Sequence, residues 1–175
     1  MSGPEEPPRD GEREGAPAAR AYTDYAGAVY GSMLAASVVA TAGTVGDYPR
    51  VQLAVLLVVT GVVFWAAHVY ARLAGERRVG KGPSWREARR IGRHERPIIE
   101  AALPPAAAVL ISPLLGLGLT GTSWLALGVA VAQQVGWAFV GAVRAGASRR
   151  QAAIEGLANL VLGLIIVAAK AALGH

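Results

Sequence analysis

The sequence predicts an all-α polytopic membrane protein: five transmembrane helices, with the N-terminus inside and the C-terminus outside. Three observations predict it. Of 175 residues, 53% are hydrophobic and 17% charged, against about 25% charged in soluble domains. Residues 25–46, 51–71 and 101–143 contain no Asp, Glu, Lys or Arg, and residues 151–169 contain only Glu155. The basic residues gather at alternate junctions between these blocks.

A membrane-crossing helix needs about 20 mainly apolar residues, because the hydrocarbon core is about 30 Å thick. The first, second and last blocks therefore hold one span each. As one helix, block 101–143 would be roughly 64 Å long at about 1.5 Å per residue, twice what a bilayer accepts. It divides at Gly116-Leu117-Gly118-Leu119-Thr120-Gly121-Thr122-Ser123, where glycines and hydroxyls favour a turn. The spans are about 26–46, 51–72, 98–116, 123–143 and 151–172. A core helix of a soluble protein shows a polar stripe at helical spacing; residues 51–65 show none.

Orientation follows from the excess of Lys and Arg in cytoplasmic loops. With the N-terminus inside, 15 basic residues are cytoplasmic and only Arg50 and Lys170 fall outside. Tyr22, Tyr25 and Tyr70 then sit near the inner interface, Tyr48 and Trp124 near the outer one, as amphipathic rings prefer. Residues 1–20 contain no apolar signal-peptide stretch, so span one is expected to act as an uncleaved targeting signal. The expected location is the cell (inner) membrane. This topology also accounts for the pI of about 10.1, which in a soluble protein would point to nucleic acid; no nucleic-acid partner is expected. With no cysteine in the chain, disulfides and thiolate chemistry are excluded.

Residues 1–22 are charged and rich in Pro and Gly, without periodicity. Such a segment buries too little apolar surface to order itself, so a disordered cytoplasmic tail is expected before the membrane domain, 23–175. In the basic cytoplasmic loop 73–97, Ser84-Trp-Arg-Glu87 fits a capping box and Pro97 a stop, predicting a short helix over about 85–95. Its weak apolar side is Trp85, Ala88, Ile91 and Gly92. With Arg86, Arg89, Arg90 and Arg93, Trp85 is placed on anionic lipid headgroups; an acidic protein partner is the alternative.

Small residues at helical spacing, Gly27, Gly31 and Ala35 in span one and Gly128, Ala132 and Gly136 in span four, let backbones approach closely. Packing within the bundle and homo-oligomerisation both follow from such faces. Pro104-Pro105 and Pro113 should break span three and free carbonyls that need other donors. Gly116-x-Gly118-x-x-Gly121 matches the dinucleotide fingerprint by letter only, because it lies between two spans and follows no strand.

Ionisable and amide residues inside apolar spans are functional pointers. His68, Glu100 and Glu155 fall at similar depth near the cytoplasmic face. Glu155 and Asn159 share a helix face at i,i+4, and Gln133 and Gln134 lie near the centre of span four. Together they are candidates for an ion or solute path; the alternative is snorkelling and helix-to-helix hydrogen bonding. No zinc signature, cofactor motif or nucleophilic triad is visible, so neither an enzyme nor a metal or cofactor site is expected.

Several stretches resemble the vacuolar iron transporter family of cation/proton exchangers: Val29-Tyr-Gly-Ser-Met-Leu-Ala-Ala-Ser, Pro97-Ile-Ile-Glu-Ala-Ala-Leu-Pro-Pro, Ile111-Ser-Pro-Leu-Leu, Phe139-Val-Gly-Ala-Val-Arg-Ala-Gly and Glu155-Gly-Leu-Ala-Asn-Leu. The likeness covers about 26–172 and implies a five-span carrier of a small ion or solute. The family's Asp-Gly pair in span one is matched by Met33-Leu34-Ala35, and its methionine-containing end of span two by Ala66-Ala67-His68. Its glutamate-rich cytoplasmic domain is matched by an arginine-rich stretch with only Glu76, Glu87 and Glu95. No transport residue of the family stands at a matching position. A non-transporting scaffold, recruiting anionic lipid or a protein partner through the basic loop, is the second expectation.

Overall fold

The computed structural model describes residues 10–45, 49–75 and 84–173; for 10–24 and 43–45 only the backbone is described. Seven α-helices follow in order: α1 Asp10–Val45, α2 Arg50–Gly75, α3 Trp85–His94, α4 Arg96–Glu100, α5 Leu103–Ile111, α6 Leu119–Arg144 and α7 Arg149–Leu173. A 3₁₀ turn, Ser112–Leu115, extends α5. No strand occurs among the described residues. Five segments are long and apolar enough to cross a membrane: α1 from Tyr25, α2, Arg96–Leu115, α6 and α7.

Helices α2 and α7 are apolar on both faces. In α2, Leu53, Ala54, Leu57 and Gly61 are buried, while Val51, Val55, Val59 and Val63 face outward. In α7, Leu157, Val161, Leu164 and Ile165 are exposed. Soluble monomers rarely expose contiguous apolar patches beyond a few hundred Å², so these faces call for an apolar surrounding.

Helix α1 begins at Asp10, reaching back into the segment whose composition leaves it without a fold. Once a helix is nucleated, each added residue gains a backbone hydrogen bond, and Ala16, Ala18, Ala19 and Ala21 favour that extension. The first nine residues of the expected tail, and residues 76–83 of the basic loop, lie outside the described residues.

Span three is broken, and two of the carbonyls that its prolines free find new donors. A turn at Ala101–Ala102 separates α4 from α5, and the prolines fall in the first turn of α5, where a missing N–H costs least. The break thus precedes Pro104-Pro105. Pro105 deprives the Ala101 carbonyl of its usual i+4 donor, and Gln133 Nε2 supplies one at 3.0 Å. Pro113 likewise frees the Val109 carbonyl, which accepts the Ser112 hydroxyl at 2.8 Å.

The broken span is clasped by glycines. A Cβ on Gly31 would lie 2.7 Å from Ile98 O and 2.9 Å from Ala101 Cβ; on Gly61 it would lie 3.1 Å from Ala102 Cβ. The Gly27–Gly31–Ala35 face is therefore occupied within the chain by span three and the core. Gly128 and Gly136 have nothing within 4 Å of a built Cβ, and that face is open.

Helices α1 and α6 form the centre of the bundle. Helix α7 packs on both of them, and α2 with the broken span covers the other side. One end carries Tyr25, Arg72, Arg96, Arg144 and Arg149 and is called the basic end here. There Arg72 Nε bonds Glu95 Oε1 at 3.0 Å and Trp65 Nε1 donates to Gly92 O at 2.8 Å. Both contacts pin α3 to α2. At the opposite end Arg50 donates from Nε to the Ser112 and Thr122 hydroxyls (3.2 and 3.3 Å) and from Nη2 to the Leu117 carbonyl. The predicted turn at 116–123 is shorter in the structure: α6 starts at Leu119, after left-handed Gly116 (φ 68°) and extended Gly118.

Candidate functional site

Two clefts open at the basic end, on either side of the Tyr25–Trp137 ring pair, whose centroids are 5.6 Å apart. The first, of about 220 Å³, lies between α1, α6 and α7 and is lined by Tyr25, Tyr30, Met33, Trp137, Glu155 and Asn159 among others. The second, of about 230 Å³, lies between α1, the broken span and α6; Pro97, Glu100, Pro104 and Gln133 contribute to its wall.

The six path candidates do not share one cavity. Glu155 and Asn159 meet in the first cleft, Glu100 and Gln133 in the second, and His68 lines neither. His68 packs against Tyr30 with centroids 5.0 Å apart and the rings tilted by 50°. Its Nδ1 lies 3.3 Å from Phe64 O, the geometry of an Nδ1–H donor. Histidine thus reaches the first cleft only through the ring in front of it. Periodicity places residues at similar depth along a helix; their azimuth relative to neighbouring helices is set by packing.

The two glutamines hold helices together. Gln133 Nε2 donates to Ser32 Oγ at 2.8 Å as well as to Ala101 O, joining α6 to α1 and to the break. Gln134 is fully buried; its Nε2 donates to Asn159 O and Oδ1 at 3.1 and 3.3 Å, joining α6 to α7. Asn159 Nδ2 in turn donates to Glu155 O at 3.0 Å. Both glutamines leave their Oε1 atoms buried and without a hydrogen-bond partner among the described residues.

The carboxylates differ sharply. Glu100 is exposed and lies 3.4 Å from Arg96, an i,i+4 pair of a kind worth about 0–1 kcal/mol. Glu155 is half-buried, and its carboxylate has neither a hydrogen bond nor an ion pair among the described residues. Arg144 is engaged with Tyr25 of the first cleft's wall and not with Glu155. Its Nη1 donates to Tyr25 OH, and its guanidinium stands 5.5 Å from the centre of that ring.

The headgroup candidates divide. Trp85 is 81% exposed, and Arg86, Arg89, Arg90 and Arg93 are exposed along α3. Ile91 and Gly92, placed on the same apolar side, are instead buried against α2, where Gly92 meets the Trp65 ring. Ser84 Oγ accepts from Glu87 N at 3.2 Å as the capping box requires.

Sequence reasoning placed Tyr25 at an interface and passed over Tyr30 and Trp137, which wall the first cleft. It also treated Lys170 as an outside charge. Lys170 is buried; its Nζ donates to Val39 O at 3.4 Å and lies 5.6 Å from the Trp124 ring centre. A lone Tyr or Trp in an apolar span resembles lipid-facing bulk, and nothing local marks the one that faces a cleft. Comparison with protein-family models, curated proteins and solved structures finds no match to this chain.

Proposed function

We propose that this chain is an integral protein of the cell (inner) membrane, N-in and C-out, that carries a small ion or solute through the cleft between α1, α6 and α7. The observation that supports it is the Glu155 carboxylate, unpaired among the described residues and set inside an apolar helix beside aromatic rings. A charge there is costly and marks substrate or ion pathways when it is retained. The basic end, which holds both clefts, is the cytoplasmic end in this reading because Lys and Arg collect there. The likeness to the vacuolar iron transporter family accords with the five-span arrangement.

Flux into vesicles reconstituted with the full chain tests the reading. Transport of at least one member of a panel of protons, metal ions, ammonium compounds and small neutral solutes is expected, falling at least tenfold in Glu155→Gln, as expected for loss of the charge that balances a cation. Absence of flux across the whole panel overturns it. Because the chain contains no cysteine, single-cysteine variants report topology cleanly. Ser84→Cys and Ser148→Cys should resist a membrane-impermeant maleimide in intact cells, and Thr120→Cys should react; the reverse pattern would refute the orientation.

The exposed arginine face of α3, held on α2, supports a second reading: a non-transporting scaffold that binds anionic headgroups or an acidic partner. Vesicle flux with the α3 arginines replaced by Gln separates the two. A carrier keeps its flux after the replacement; a scaffold shows none before or after it.

A further inference from the structure

The first cleft combines one carboxylate with three aromatic rings, and that combination is selective. Tyr25 and Tyr30 come from α1 and Trp137 from α6, while α7 places Glu155 and Asn159 one turn apart across from them. Small residues, Ala26, Ala138, Gly141 and Ala142, form the rest of the wall with Val29 and Met33. Trp137 and Tyr30 are both more than one-third exposed.

Each class of ligand meets this wall differently. An anion is repelled by Glu155. A neutral apolar molecule covers the carboxylate without pairing it, and an unpaired buried charge is costly. A hard divalent cation collects about six to eight oxygens. The cleft offers the Glu155 carboxylate, and Asn159 Oδ1 already accepts from Gln134. Among the described residues no group of three or more His, Asp or Glu is placed to hold a metal ion. A cation with an apolar skin and a weak hydration shell is matched on every side: the carboxylate balances its charge, and the negative faces of the rings attract it.

Tyr25 already shows the second half of this chemistry, since Arg144 lies over its ring. With Tyr25 so engaged, Tyr30 and Trp137 are the rings left for a ligand; Tyr30 is held by His68 and Phe64, and Trp137 by Tyr25. We propose that Glu155, Tyr30 and Trp137 form a binding site for a small organic ammonium ion, a class that includes choline and tetramethylammonium. The proposal names the cargo class of the carrier reading and rests on it for the role of the cleft, but the site itself is tested by binding.

The experiment is equilibrium dialysis of the purified full chain in detergent with radiolabelled choline. Its uncharged isostere, 3,3-dimethylbutan-1-ol, serves as competitor. Saturable binding at one ion per chain is expected, with the isostere competing at least tenfold more weakly than unlabelled choline. Trp137→Leu should weaken binding about tenfold and Trp137→Phe, which keeps a ring, only about two- to threefold. Glu155→Gln should weaken it about tenfold or more. Thermal unfolding of each variant identifies any that fail to fold, and Trp137→Phe and Glu155→Gln keep side-chain volume close to the parent.

Equal affinity for choline and its isostere, undiminished binding in both Trp137→Leu and Glu155→Gln, or no saturable binding at all overturns the proposal. A chain that binds choline as described but moves nothing across vesicles keeps the site and refutes the carrier. One that moves protons or inorganic ions without binding choline keeps the carrier and refutes the site.

Discussion

The half of the bundle around Ala36, Val39 and Leu57 and the half around Tyr25 and Trp137 share helices α1 and α6 but are lined by different side chains. In the first, Ala35, Ala36, Val39 and Ala42 of α1 meet Leu53, Ala54 and Leu57 of α2, Val109 of α5 and Ala126, Leu127 and Ala130 of α6 in one buried cluster. Alanine lets backbones come close and leaves no room for anything else. Arg50 then ties the far end of span three to the start of α6. In the second half the backbones still approach closely, since a Cβ on Gly141 would lie 2.7 Å from Tyr25 Cβ, but the Tyr25, Tyr30 and Trp137 rings project beside that contact. The clefts are the spaces left beside those rings. Among the described residues, small apolar side chains fill the first half, and two clefts lie beside the rings of the second.

Substitutions of equal size in the two halves should therefore have unequal effects. The largest is expected from Ala36→Leu, because Ala36 is fully buried and added methylenes in a packed core force neighbours apart. The loss should be about 3 kcal/mol, read by unfolding in an SDS titration. Arg50→Ala comes next, at about 2 kcal/mol, since three acceptors lose a charged donor while water can reach part of the vacated site. The smallest effect on stability belongs to Ala26→Leu, within about 0.5 kcal/mol, because Ala26 is exposed and lines the first cleft. That same substitution fills the cleft and should reduce choline binding at least tenfold, the scale of the Trp137→Leu loss. If Ala26→Leu unfolds the chain as readily as Ala36→Leu, the contrast between the halves is wrong.

Much of the fold was legible along the chain. Pro104, Pro105 and Pro113 announced a broken third span and freed carbonyls, and Ser84 and Glu87 announced the start of α3. The site was less so. Gln133, read as lining a path, spends its donors on Ser32 and on the carbonyl that Pro105 stranded; that pairing spans 32 residues and depends on how α6 faces the break. Gln134 turns the other way, to Asn159, although it is the next residue in the chain. Ile91, read on the same weak apolar side as Trp85, is buried while Trp85 is exposed, and beside it Gly92 lets the Trp65 ring approach.

What the sequence determined by itself is the number of apolar helices, their approximate ends and the clustering of basic charge at one end. Those are local properties: apolar length, missing charge and the missing N–H of proline belong to one stretch of chain, so charge-free blocks and prolines can be read one at a time. What only the tertiary structure decided is company. It placed Glu155 beside Tyr30 and Trp137, Glu100 in one cleft with Gln133, and His68 against a tyrosine. Each depends on the rotation of one helix against another, which is settled by the summed fit of many small contacts and written in no single stretch of residues.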